Sequence, residues 1–97
     1  MKTAPMIRLT GHIDVPSERQ EAVAAALPAH IALTRAEPGC LSFDVTQDPA
    51  NAGRYNFSEL FVDQAAFDAH QARASASDWA AVTAGIPRHY QITEVPA

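Results

Sequence analysis

The sequence predicts one α+β domain of order βαββαβ, with four antiparallel strands and the helices gathered on one face of the sheet. Three observations predict it. Four stretches alternate apolar and polar residues at the period of a strand. Two stretches between them carry apolar residues at three- and four-residue spacing. The boundaries are marked by Pro, Gly, Asn, Asp or Ser. A chain of 97 residues has room for one core and not for two, which places a single domain at residues 6–93, flanked by 1–5 and 94–97.

Met6 to Val15 puts Ile7, Leu9, Ile13 and Val15 on one face and Arg8, Thr10, His12 and Asp14 on the other, a first strand. Pro16 and Ser17 break it, and Ser17 with Gln20 has the spacing of a capping box that opens a helix. Val23, Leu27 and Ile31 then mark a buried stripe on a helix running to about Ala36. Pro28 removes a hydrogen bond and crowds the carbonyl of Ala24, which costs about 3 kcal/mol in a straight helix, so a bend or a split is expected. Glu37, Pro38 and Gly39 form a stop signal.

Leu41, Phe43 and Val45 alternate with Ser42, Asp44 and Thr46 in a second strand, and the turn residues of Asp48 to Gly53 predict a hairpin into the third. In that third strand Tyr55, Phe57, Glu59 and Phe61 share a face, so one carboxylate sits among three aromatic rings. Asp63 can cap a helix that presents Phe67, His70 and Ala74 on one side, and Ser77 a short helix with Trp79 and Val82. Gly85 ends it, and Ile86 to Val95 reads as the last strand, with Tyr90 and Ile92 on the same side. The uncovered face then carries Arg8, His12, Cys40, Ser42, Asn56, Ser58, Leu60, His89 and Gln91, either solvated or packed on a second copy.

A domain of this size buries only roughly 60% of its unfolded surface, which favours a partner subunit. A net charge of −4 with seven Lys and Arg offers no basic stripe, which argues against nucleic acid and membrane surfaces as partners. Cys40 is the only cysteine, and no apolar run approaches the ~20 residues of a membrane span. Met1 to Ile7 is followed by no apolar segment of a secretory signal. A reducing, cytoplasmic setting is the expectation.

The segment AEPGCLSFDVTQDP from Ala36 to Pro49, followed by Glu59 and by Ala66-Phe67-Asp68-Ala69-His70, resembles the antibiotic biosynthesis monooxygenase family over roughly Met6 to Thr93. The resemblance implies a ferredoxin-like domain that dimerises through its sheets as a dimeric α+β barrel, covering the open face. It also implies, among the family's activities, cofactor-independent oxidation of quinols or phenols by O2, processing of signalling molecules, or haem degradation. For the haem-degrading branch, His70 lies where a Trp would be expected. Fold and family do not choose among these activities.

Glu59 and His70 best match the family's recurring polar positions, and both fall on faces assigned to the interior. A carboxylate buried among Tyr55, Phe57 and Phe61 must rise in pKa or find a partner. In the catalytic reading, Glu59 orients His70, which removes a proton from a phenol or quinol whose anion then reacts with O2 without metal or flavin. The plainer alternative is a structural tie between strand and helix, or a pairing of Glu59 with Arg54 or Arg88. Tyr55, Phe57, Phe61, Trp79 and Tyr90 would line an aromatic substrate pocket, although rings at such spacings are more often core.

His12, Asn56 and His89 lie on the opposite strand faces and belong to a dimer seam, while His30 is expected to be a solvated helix residue. The four histidines show no i, i+4 pair, which speaks against a metal site. Asp44 and Asp48 read as turn and capping residues. An isomerase or degradative enzyme for a small signalling metabolite, or a dimeric ligand-binding protein, is the competing expectation.

Overall fold

The computed structural model describes residues 4–97, so part of the expected 1–5 flank lies outside it. Strand β1 (Met6–Asp14) leads through a 3-10 turn at Ser17–Arg19 into helix α1 (Gln20–Arg35). Strands β2 (Cys40–Asp48) and β3 (Asn51–Phe61) follow, then helices α2 (Gln64–Ser75) and α3 (Asp78–Val82), and finally strand β4 (Arg88–Val95). The strands form one antiparallel sheet in the order β2-β3-β1-β4, with the first strand central and the last at an edge. This is the predicted α+β, ferredoxin-like architecture. β4 ends at Val95 as expected and begins at Arg88, two residues later than the expected Ile86.

The core lies between the helices and one sheet face. Ile7, Leu9 and Ile13 of β1, Phe43 of β2 and Phe57 and Phe61 of β3 are buried there with Val23, Phe67 and Trp79 from the helices. Burial along β3 alternates from Gly53 to Phe61, as the period of two requires. Gly11 breaks the apolar row of β1 for a steric reason. Its φ is 151°, and a Cβ there would run into the His89 carbonyl and stand 2.8 Å from Cδ1 of Tyr90. The missing side chain lets the Tyr90 ring lie across the sheet, since Gly11 pairs with both Tyr90 and Phe57.

Both later helix caps form as expected: Asp63 accepts from the Ala66 N–H at 2.9 Å, and Ser77 accepts from the Ala80 N–H at 3.4 Å. The first does not. Ser17 makes no capping bond to α1, because Ser17–Arg19 is wound as a 3-10 turn, and the Gln20 amide donates instead to the Val15 carbonyl. Pro28 neither ends nor splits α1. Pro28 and Ala24 are both exposed, so the carbonyl freed by the proline is left to water and not to the core.

Three faces differ from the expectation. On α1 the buried line runs through Val23, His30 and Thr34, while Leu27 and Ile31 are only half-buried. On β2 a bulge shifts the register between Cys40 and Ser42. Cys40 therefore stands opposite Phe61 and packs on the core, and Leu41 is turned outward at 53% exposure. Ile92, on the helix side of the edge strand, is 52% exposed because the helices do not reach that far. His12, Asn56 and His89 do lie on the open face, where His12 stacks on His89 across the β1–β4 pair with centroids 4.8 Å apart.

Candidate active site

β3 delivers Glu59 and Phe57 to the covered face, α2 delivers His70, α3 Trp79, β4 Tyr90 and Arg88, and α1 His30. Together they line a cavity of about 300 Å³ floored by Leu9. Its rings form a connected wall: Phe57 lies 6.2 Å from Trp79 and 5.6 Å from Tyr90 between centroids. Gln71, Ser75 and Arg88 are exposed and frame its mouth.

His70 is 4% exposed and held from two sides. Its Nδ1 lies 2.9 Å from Oε1 of Glu37, and its Nε2 faces Oε1 of Glu59 at 3.7 Å. A carboxylate only accepts, so the short bond to Glu37 places the ring proton on Nδ1 and leaves the lone pair on Nε2, the atom nearest Glu59. Glu37 is fixed in turn by Arg73, whose Nε–H donates to Oε2 at 2.6 Å and whose Nη2 donates to the Thr34 hydroxyl at 2.8 Å. Thr34 returns its own proton to the His30 carbonyl at 2.7 Å. A turn residue, a helix and a hydroxyl thus converge to hold one imidazole.

Burial depresses the His70 pKa, and the Glu37 carboxylate works against that by charge and hydrogen bond. Glu59 moves the other way: burial, reinforced by the charge of Glu37, pushes its carboxyl up to about 8. At neutral pH the two therefore face each other as a neutral base and a neutral acid, 3.7 Å apart. Burial, with the charges of Arg73 and His70, pushes His30 down to about 4, and burial raises the Tyr90 phenol. Among the described residues, the buried side-chain atoms lacking a hydrogen-bond partner are His30 Nδ1 and Glu59 Oε1, both on residues of this cavity.

The structure brings together Glu59, His70, Phe57, Trp79 and Tyr90 of the residues named from sequence. Two others lie elsewhere. Phe61 is fully buried behind the cavity, its ring tilted against His70 at 4.9 Å and edge-on to Phe67 at 5.5 Å. Tyr55 lies further along β3, where it lines a separate groove against α1 with Leu27 and Ile31. The rung spacing of the strand explains the place of Tyr55, because a ring two residues before Phe57 is already under a different helix.

His30 is also corrected, being 5% exposed and stacked on Trp79, not solvated. Arg54 does not serve Glu59 but grips both carboxylate oxygens of Asp14 at 2.8 and 3.1 Å, and Arg88 donates to the Ile86 carbonyl and the Thr83 hydroxyl. Glu37 has the orienting role expected of Glu59. In sequence it is indistinguishable from the turn that contains it.

Chain spacing says nothing about pairs across strands. His12, Asp14 and His89 have potential ligand atoms within 4.8 Å of one another on the open face, with Asp14 already taken by Arg54.

A ferredoxin-like α+β domain with a histidine set in an aromatic cavity between helices and sheet is the class that fold and site define. Residues 6–82 match the family model described as Antibiotic biosynthesis monooxygenase, and the chain belongs to that family. No functionally curated protein matches it in sequence. Among solved structures it is similar to a Nitrosomonas europaea protein provisionally assigned to the antibiotic biosynthesis monooxygenases, with 22% identity, TM-score 0.78, and 91% of this chain and 95% of that one covered. It is also similar to a Shewanella oneidensis protein, with 24% identity, TM-score 0.75, and 97% and 94% covered. MupZ from Pseudomonas fluorescens aligns with 16% identity and TM-score 0.76 over 95% of this chain and 70% of that one. At these identities the likeness concerns the fold. No helix among the described residues is long and apolar enough to cross a membrane.

Proposed function

We propose that the protein is a cofactor-independent monooxygenase that oxidises a small quinol or phenol with O2. The observation that carries this reading is the His70 imidazole, which is proton-donating to Glu37 on one side and presents a bare Nε2 beside an aromatic cavity on the other. A phenolic O–H set against Nε2 gives up its proton, and the imidazolium that forms is stabilised by the Glu37 carboxylate, which Arg73 keeps in place. The substrate anion passes one electron to O2. Recombination of the radical pair forms a ring C–O bond as a peroxide, which takes back the proton held on His70, and the resulting hydroperoxide loses water with the hydrogen of the same ring carbon to leave a carbonyl. O2 is thereby reduced to one inserted oxygen and one water, with both electron pairs drawn from the substrate.

Phe57, Trp79 and Tyr90 supply flat surfaces for the ring and keep water away from the radical pair. Glu59, as a neutral acid next to Nε2, is placed to donate to the oxygen that develops charge. In this reading the protein works in the cytoplasm as a homodimer. Its open sheet face, with half-buried Arg8, Thr10, Asn56, Ser58 and Leu60, forms the seam.

The same adjacency of acid and base favours a second reading, proton shuttling in an isomerase or degradative enzyme for a small oxygenated metabolite. Oxygen-electrode assays with a quinol panel separate the two, using wild type, His70→Ala and Glu59→Gln. Consumption that depends on His70 supports the monooxygenase. Turnover undiminished under nitrogen supports the second, and saturable binding without turnover in any protein leaves a ligand-binding module.

A further inference from the structure

Among the ionisable groups that line the cavity, His30, Glu59, His70 and Tyr90 are all neutral at neutral pH. Among the described residues that line the cavity, Arg88 is left as the one permanent charge, in a protein whose net charge is −4. Its guanidinium is not loose. Nη2 donates to the Thr83 hydroxyl at 3.0 Å and Nη1 to the Ile86 carbonyl at 3.3 Å, and Thr83, 1% exposed, is itself tied to the Trp79 carbonyl at 2.7 Å. Those bonds use part of a five-donor fork and leave the remainder for a ligand.

The strand register fixes where this charge stands. Glu59 pairs with Leu9, Phe57 and Tyr90 with Gly11, and Arg88 with Ile13, so acid, rings and cation occupy successive same-face rungs along β1. From Leu9 to Ile13 is about 13 Å of strand, part of which the long Arg88 side chain spans. The cavity therefore has a neutral proton-transfer end, an aromatic middle and a cationic mouth.

We propose that the ligand of this cavity is an anionic aromatic, with its carboxylate received by Arg88 at the mouth and its phenolic hydroxyl directed inward to His70. The carboxylate part stands on Arg88 alone, and only the phenolic end rests on the reading above. A guanidinium in this setting takes a planar carboxylate by two parallel hydrogen bonds, which a neutral amide cannot match.

Calorimetric titration under nitrogen with 6-hydroxy-2-naphthoate and its neutral isostere 6-hydroxy-2-naphthamide tests this without turnover. Wild type is expected to bind the carboxylate roughly tenfold or more tighter than the amide. Arg88→Met should abolish that preference by weakening carboxylate binding far more than amide binding, with Arg88→Lys in between. Equal affinities in wild type, no binding of either compound, or a preference that survives Arg88→Met overturns the proposal. If Arg88→Met does not fold, the salt dependence of wild type decides: a preference that shrinks as salt rises supports the proposal, and one indifferent to salt overturns it. Carboxylate preference without oxygen uptake would sink the monooxygenase and leave this inference standing, and the reverse result would do the opposite.

Discussion

His30 lies flat on Trp79, with ring centroids 4.9 Å apart and planes 6° from parallel, so one imidazole joins α1 to α3 across the cavity. Burial holds its pKa down to about 4, below the 6.5 of an unfolded histidine. Between those values the unfolded chain binds the extra proton and the native state does not, so the contribution of His30 to stability rises with pH from about 4 to 6.5. His70, also depressed by burial, adds to the same limb. Replacing His30 with Phe keeps a stacking ring and removes the titration. Urea denaturation at pH 4.5 and 6.5 should show a change in stability that is less positive in His30→Phe than in wild type, where the His30 limb offsets the opposing limb of Glu59, and an equal change in both proteins would contradict the burial argument.

Glu59 has the opposite sign. Its native pKa of about 8 exceeds the 4.5 of an unfolded glutamate, so the native state holds a proton that the unfolded chain has released. That contribution is fully present below pH 4.5 and is lost as pH rises through about 8, by an amount on the order of a few kcal/mol. Above pH 6.5 the histidine limb is finished and Glu59 acts alone, so wild-type stability should fall from pH 6.5 to 8. Glu59→Gln should hold steady over that window. Equal losses in both proteins would mean that the carboxyl is not buried in its neutral form.

Glu37→Gln leaves a hydrogen-bond acceptor for His70 Nδ1 but removes the charge that stabilises the imidazolium. The His70 pKa should drop further, followed by NMR titration of its ring protons. Under the proposed chemistry kcat should fall by roughly 10- to 100-fold with little change in KM, because the lost interaction is strongest after proton transfer. A proportionate rise in KM at constant kcat would instead assign Glu37 to ground-state binding.

Gly11→Ala should destabilise the fold by about 2 kcal/mol or more, since a Cβ at φ 151° meets the His89 carbonyl and the Tyr90 ring. Chemical denaturation gives the loss. Displacement of Tyr90 should appear as weaker ligand binding in whatever fraction remains folded. Gly85, where nothing stands within 4 Å of an added Cβ, provides a control in which only the φ of 78° is penalised.

The strands were readable because a period of two leaves no choice of face: once Phe57 is inside, Glu59 and Phe61 must be too. The Ala-rich α1 was harder. Val23, Leu27 and Ile31 are bulky apolar residues at four-residue spacing, yet the buried line passes from Val23 through His30 and Thr34, polar residues whose needs are met locally. Thr34 bonds the His30 carbonyl one turn back, and the His30 ring stacks on Trp79. Leu41 misled through a bulge that no alternation reveals. Glu37 acts on a residue brought to it by the fold from 33 positions away, so its place beside Pro38 and Gly39 signalled a turn and nothing more. At the site, the pair Glu59 and His70 was legible as polar residues on apolar faces. The network that sets their protonation was not.

The pairing of β4 with β1 alone has a consequence for how the domain opens. An edge strand held on one side can fray while the β2–β3–β1 sheet and α2 with its histidine stay in place. Tyr90 and Arg88 leave with that strand, and the cavity then loses one wall and the cationic part of its mouth. Local opening would thus part the proton-transfer groups from the surfaces that hold a ligand against them, without unfolding the domain.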